Sequence, residues 1–357
     1  MEKKSIVIFT NTLIAGGAEK QALLLAISLK DLHDVLIVVY YGQMVEEKFR
    51  LSIAEHKLKV ICLSGSHLKK MLSFWSLLRK NKVSIIFSYL LTTNLIGSVV
   101  GKIARVPVRV GGIRNAQLDK KKLPFQRFIN NYLSTHTIFN NYDGIEKLQA
   151  KGFRTKHAVV IPNCFDLTTL PRERELQEVV KIITVGRYVH QKGYFGALKI
   201  MKELKAQGIK FHYHIIGFGE LETLLRDEIV RLKLGDVVEM VNNPDNLPEY
   251  YIKSDIYLCT SFFEGLSNTV MEALSYSMPV VASDVGDNNR LVYDGVNGYL
   301  ISDWTPEKMI GPLKTLIANP ELRNKFGKES FRIIRDNYSS NAFKNNYAKF
   351  ISDLTIN

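Results

Sequence analysis

Ile256-Tyr257-Leu258-Cys259, then Thr260-Ser261-Phe262-Phe263-Glu264-Gly265-Leu266-Ser267, then Asn268-Thr269-Val270-Met271-Glu272-Ala273-Leu274 reads as strand, loop and helix. The four apolar residues suit a strand buried on both faces, and Asn268–Tyr276 has helical spacing. Ser267 is placed to cap that helix, and Leu266 and Met271 have the spacing of a hydrophobic staple. Glu264 then falls on the loop and Glu272 in the second helical turn.

The same unit repeats outward from this stretch. Downstream lies a strand at Val280–Ala282, and the last fifty residues are helical in character. Upstream, strands are expected at Lys181–Val185, Phe211–Ile216 and Val237–Met240, with helices at Gly193–Ala206 and Leu221–Leu232. The first half repeats the pattern: strands at Ser5–Phe9, Val35–Val39, Val60–Leu63, Ser84–Phe87, Val108–Gly111, Thr137–Phe139 and Ala158–Ile161. Helices Ala18–Leu29, Leu68–Arg79 and Leu91–Ala104 intervene. Such alternation builds parallel sheets covered on both faces. The pattern pauses over Pro162–Gln177, where prolines and mixed charges mark a connection. The fold class is therefore α/β, with two Rossmann-like domains that face each other across a cleft, at residues 1–165 and 166–335.

The 357 residues, 46% hydrophobic and 23% charged, suit a soluble protein with two cores. No apolar run approaches the ~18–20 residues that span a bilayer. Lys3-Lys4 before Ser5-Ile6-Val7-Ile8-Phe9 superficially resembles a signal peptide. The apolar run is short and no small-residue cleavage site follows, so it reads as a first strand. Cys62, Cys164 and Cys259 are odd in number and lack metal-ligand spacing, which fits reduced thiols in a cytoplasm. The net charge of +13 is uneven: residues 1–170 hold 25 Lys+Arg against 11 Asp+Glu, whereas 171–357 hold 23 against 24. An anionic partner of the first half is implied.

Free N–H groups at Leu266, Ser267 and Asn268 would form an anion site at the helix start. Two carboxylates beside an anion site suit a ligand with hydroxyls as well as phosphate, and a nucleotide sugar has both. A second element, Gly186-Arg187-Tyr188-Val189-His190-Gln191-Lys192-Gly193, follows a strand and opens a helix. Gly186 allows a close turn. Arg187 and Lys192 offer two cations to a diphosphate leaving group, whose charge develops in the transition state.

With these residues in view, the sequence resembles the retaining glycosyltransferases of family 4, which have the two-domain GT-B fold. The resemblance rests on Glu264 and Glu272 with seven residues between them, on Gly186, Arg187, Lys192 and Gly193, on Gly16-Gly17-Ala18-Glu19, and on Gly217-Phe218-Gly219. It implies that Glu272 holds ribose hydroxyls, that Glu264 sits by the donor sugar, and that Arg187 and Lys192 bind the diphosphate. Gly186, Gly217, Gly265, Leu266, Ser267 and Asn268 would complete the donor site. Gly16 and Gly17 would bring backbone to the sugar or phosphate, and the last residues, 336–357, would cross back to the first domain. It also implies transfer with retention by a front-face route, with no covalent nucleophile.

The chain departs from the family pattern in three places. Cys164 stands in Ile161-Pro162-Asn163-Cys164-Phe165-Asp166 where relatives carry glycine. Gly111-Gly112-Ile113-Arg114-Asn115-Ala116 lacks the usual histidine, which leaves Arg114 or Asn115 for the sugar-facing role. Asn242-Asn243-Pro244 replaces a glycine near the base pocket and leaves the base open.

No Asp-x-Asp pair is present, so no metal and no cofactor are expected. His212 and His214 alternate on a strand and read as satisfied core or edge histidines rather than ligands. Tyr188 and Tyr194 read as packing residues. The stripes Phe125, Phe128, Ile129, Tyr132, Leu133 and Leu68 through Trp75, each beside lysines, read by default as core-facing. Their alternative is a peripheral site on the inner face of the cytoplasmic membrane.

The expected reaction moves a hexose or N-acetylhexosamine from a UDP or GDP sugar to a glycan, with a lipid-diphosphate-linked acceptor, in surface polysaccharide biosynthesis. A nucleotide-sugar epimerase or sugar phosphorylase of the same fold is the alternative enzyme. A basic nucleic-acid-binding protein draws on charge alone, no recognised binding module supports it, and no nucleic-acid partner is expected.

Overall fold

The computed structural model describes residues 3–14, 17–42, 45–113, 121–164, 173 and 177–354. The chain forms two compact units, one of residues 1–164 with 340–357 and the other of residues 165–339.

The first unit is a seven-stranded parallel sheet. Its strands are β1 (Ser5–Thr10), β2 (Asp34–Val39), β3 (Lys59–Cys62), β4 (Ile85–Tyr89), β5 (Val108–Ile113), β6 (His136–Phe139) and β7 (Ala158–Val160), in the order β3-β2-β1-β4-β5-β6-β7. Alternate residues of β1 enter opposite cores. Ile6 and Ile8 join the cluster of Leu25 and Leu29, whereas Val7 and Phe9 join that of Phe74 and Leu78. This is period-2 geometry in a sheet covered on both sides.

The second unit is a six-stranded parallel sheet. Its strands are β8 (Val180–Val185), β9 (Phe211–Gly217), β10 (Val238–Asn242), β11 (Ile256–Cys259), β12 (Val280–Ser283) and β13 (Gly298–Ile301), in the order β10-β9-β8-β11-β12-β13. Helix Tyr194–Ala206 packs Leu198 and Met201 with Ile182, Tyr213 and Leu258. Helix Asn268–Ser275 packs Val270, Met271 and Leu274 with Ile183, Tyr257 and Val280 on the other face. The chain thus turns one way after β8 and the other way after β11. Helix Ser340–Asp353 buries Phe343, Tyr347, Phe350 and Ile351 in the first unit, with Tyr347 edge-on to Phe87 at 5.6 Å.

The expected strands fall within one or two residues of those observed. Strand β13 is not among them: four residues between Asn297 and Ser302, Gly298 buried and the other three half-buried, are too few to show a period. Both apolar stripes depart from the core-facing reading. Helix His67–Lys80 buries Phe74 and Leu78, but Leu68, Leu72 and Trp75 are 64%, 59% and 41% exposed. Helix Leu123–Phe128 runs into a π-helical turn, Ile129–Leu133, closed by Ser134 N–H to the Ile129 carbonyl at 2.9 Å. The wider turn shifts the face that follows. Ile129 is buried, while Phe125, Phe128 and Tyr132 stand largely in solvent.

Candidate functional site

In an open parallel sheet, ligands bind beyond the carboxyl ends of the strands where the chain direction switches. In the second unit that point lies between β8 and β11, and the loops leaving them are Gly186–Gly193 and Thr260–Ser267. Backbone hydrogen bonds tie the two together. Phe262 N–H donates to the Gln191 carbonyl at 2.8 Å, and the Gln191 side-chain amide donates to the Phe263 carbonyl at 2.8 Å. Gly193 has φ +66°, and a Cβ there would lie 2.0 Å from the Thr260 carbonyl oxygen. Any other residue would force these loops apart.

The loop contact brings Lys192 to Glu264. Their Nζ and Oε1 are 2.7 Å apart, and the side chains are 16% and 8% exposed. Ser261 Oγ donates to the same Oε1 at 2.6 Å. Thr260 Oγ1 donates to the Lys192 carbonyl at 2.9 Å, so both ends of the lysine are held. Sequence position alone gives Lys192 and Glu264 separate tasks, and Ser261 none.

Arg187 is exposed on the same turn, outside every ion pair found among the described residues. Gly186 lies under Lys192: a Cβ there would meet the lysine Cε at 3.0 Å. Gly217 closes against the turn from β9, with its own Cβ position 1.9 Å from the Gly186 carbonyl oxygen. Tyr188 N–H donates to the Phe218 carbonyl at 2.8 Å. The Tyr188 hydroxyl donates into the carbonyls of Ile215 and Val241, each at 3.1 Å. Burial, then the Glu222 charge, pushes the Tyr188 pKa up to about 12. Tyr194 is also buried, and its hydroxyl donates to the Gly186 carbonyl at 2.8 Å. Both tyrosines brace the turn.

Glu272 points to a partner that the sequence did not signal. The Tyr251 hydroxyl donates to its Oε2 at 2.9 Å. Tyr251 is fully buried and stacks on Tyr276 at 5.2 Å. Burial first, and the Glu272 charge second, hold the Tyr251 hydroxyl well above its usual range, so it stays a donor. Helix Leu247–Lys253 carries Tyr251 beneath helix Asn268–Ser275, a contact set by packing rather than spacing.

At the start of that helix, Ser267 holds the N-cap position but caps nothing; its hydroxyl lies 3.4 Å from Thr269 Oγ1. Leu266 and Met271 share one core, Asn268 is exposed, and the Gly265 carbonyl accepts from Asp287 N–H at 3.2 Å. Gly286 packs on this loop with φ +57°, its Cβ position 2.3 Å from the Glu264 carbonyl oxygen.

In the first unit, Gly17 opens helix Gly17–Leu29 and is exposed, with nothing within 4 Å of an added Cβ. Gly16, Arg114 and Asn115 lie outside the described residues. Cys164 is buried and exchanges two backbone hydrogen bonds with the Gln21 amide, at 3.1 and 3.2 Å.

Residues 169–332, nearly all of the second unit, match the family model Glycosyl transferases group 1. A protein of Haemophilus influenzae described as an uncharacterized glycosyltransferase is 29% identical over 59% of this chain and 61% of its own length. The amylovoran biosynthesis glycosyltransferase AmsD of Erwinia amylovora is 30% identical over 43% of this chain and 42% of its own. The chain thus spans less than two thirds of each of these relatives. Among solved structures, Anabaena Alr3699/HepE in complex with UDP superposes with a TM-score of 0.82 over 98% of this chain and 100% of that one, at 17% identity. The fold is that of the GT-B glycosyltransferases.

Proposed function

We propose that this chain is a glycosyltransferase that moves a hexosyl group from a nucleotide-diphosphate sugar to a glycan in polysaccharide biosynthesis. The observation that carries the reading is the Lys192–Glu264–Ser261 cluster at the switch between β8 and β11, within the segment that matches the group 1 model. The relative named for amylovoran biosynthesis supports the pathway class, and the UDP held by the HepE structure supports a nucleotide donor.

In this proposal Arg187 and Lys192 bind the diphosphate. As the bond between the anomeric carbon and the phosphate oxygen breaks, they take up the charge that develops on the leaving group. The new bond forms from an acceptor hydroxyl on the same face, and its proton passes to the departing phosphate oxygen. Configuration is retained, and no metal is required because the two cations act in its place. Glu264 orients Lys192 and faces the donor sugar. Glu272, fixed by Tyr251, takes the ribose hydroxyls. The first unit takes the acceptor, which is lipid-linked.

Peripheral contact with an anionic membrane belongs to the same proposal. Leu68, Leu72 and Trp75 stand in solvent beside exposed Lys69, Arg79 and Lys80, the combination that partitions into a charged interface. No helix among the described residues is long and apolar enough to cross a membrane.

Calorimetric titration of UDP, GDP and ADP into the purified chain, in chelator, tests the donor site. One nucleotide should bind clearly over the others, and Glu272→Ala should weaken it by roughly 10-fold or more. Binding of none, with or without added magnesium, sinks the reading.

A further inference from the structure

We infer that His212, His214 and Glu239 form a binding site for a borderline transition-metal ion such as Zn²⁺, separate from the proposed nucleotide site. His212 and His214 alternate on β9 and therefore share one sheet face. Glu239 on β10 lies directly across from His214 in the parallel register. This face is otherwise apolar at Ile183, Ile216 and Val241, which join the second unit's core. The sequence pattern predicts satisfied core or edge histidines, and both imidazoles turn to one carboxylate.

The geometry fits the ion. Glu239 Oε2 is 3.5 Å from His212 Nε2 and 3.4 Å from His214 Nε2. With zinc–ligand bonds of about 2.1 Å in a tetrahedron, adjacent donor atoms stand about 3.4 Å apart. One donor atom from each of the three residues lies within 4.8 Å of the others, so a small rotation closes the set. The imidazoles line a cavity of about 380 Å³ with Lys181, Glu249, Tyr250 and Lys253, which leaves room for a fourth, exchangeable ligand. Lys253 is already paired with Glu249. Lys181 sits beside His212 in the register with β8. A cation on the wall disfavours ions held by charge alone, such as Mg²⁺, and leaves those that bond to imidazole.

His214 Nδ1 is buried with no hydrogen-bond partner found among the described residues. The ion would bond Nε2, the atom that faces Glu239, and leave Nδ1 as the ring N–H. Glu239 is 57% exposed, so its contacts with the histidines contribute little by themselves. A bound ion would fasten the edge strand β10 to β9. Those strands also supply the Ile215 and Val241 carbonyls that hold Tyr188. The ion's effect is thus on stability rather than on chemistry.

Zinc chloride titrated calorimetrically into the chelator-stripped full chain should show one ion per chain, with Kd on the order of 1 μM or tighter. His212→Ala, His214→Ala and Glu239→Gln should each weaken it by roughly 10-fold or more. Glu239 is exposed enough that its variant keeps the fold. Saturating zinc should also raise the Tm of the wild type by several degrees, and leave that of the double histidine variant unchanged. Cys62 is an exposed thiol, so Cys62→Ser serves as control and should retain the site. Absence of binding, or binding lost in Cys62→Ser and kept in the histidine variants, overturns the proposal. UDP titration of the same samples reads the nucleotide site independently.

Discussion

At Lys192 the structure sets charge against charge: its ammonium and the Glu264 carboxylate are both largely shielded from water. Removing one partner of a fully buried pair costs about 3–5 kcal/mol because the other charge is stranded; the partial exposure of Lys192 lowers that figure here. Lys192→Ala should therefore lose stability in urea denaturation and also lose turnover by roughly 10²-fold. Adding Glu264→Gln removes the stranded charge, so the double variant should regain most of the stability while turnover stays low. If the double variant recovered turnover as well, Lys192 would serve only to neutralise Glu264, and its diphosphate role would fall. Lys192 and Glu264 are visible in the sequence because each sits at a fixed offset from a strand end. Their mutual contact is not, because it depends on Gly193 letting two loops approach through space. Tyr251 was invisible for the same reason, with its partner Glu272 in another helix.

Helix Ser340–Asp353 shows how much of the elements could be read and where reading stops. Strands β1 to β12 were legible because each is a short apolar run bounded by helical spacing. The exposure of Leu68, Leu72 and Trp75 was not legible, since helix His67–Lys80 is apolar around more than half its circumference and periodicity cannot say which part is covered. The π-helical turn at Ile129–Leu133 left no mark in composition. For helix Ser340–Asp353 the covered side is plain: Phe343, Tyr347, Phe350 and Ile351 are at most 7% exposed. At about 1.5–3 kcal/mol for each buried side chain, their loss would match the whole stability of an ordinary domain. A chain ending at Ser339 should therefore fail to fold its first unit while keeping the second. The two tryptophans, Trp75 and Trp304, lie one in each unit and report separately. In Trp→Phe single variants of the truncated chain, Trp304 should retain a cooperative transition and Trp75 should show none. A cooperative Trp75 transition would mean that the helix decorates the first unit rather than completing it.

Charge is a property of the molecule as a whole, and its division follows the division into units. The excess of 25 Lys+Arg over 11 Asp+Glu lies in residues 1–170, while 171–357 are nearly balanced. A uniformly basic protein would need only solubility as its reason; confinement to one unit supports the proposed anionic partner of that unit. The exposed Leu68, Leu72 and Trp75 choose among partners, because a polyanion in water rewards cations but not three bare apolar side chains. An anionic bilayer rewards both. Near such a surface each lysine contributes about 1 kcal/mol, and the contribution fades within a Debye length as salt rises. Vesicles containing an anionic lipid should therefore bind the chain at low salt and blue-shift Trp75, whereas neutral vesicles should not. Lys69→Ala with Lys80→Ala should weaken that partitioning roughly 10- to 30-fold, and Leu72→Ser should weaken it without changing the salt dependence. The two variants separate the electrostatic part from the apolar part. Equal binding to neutral and anionic vesicles would leave the basic excess unexplained by a membrane, and binding to neither would remove the membrane from the account of this protein altogether.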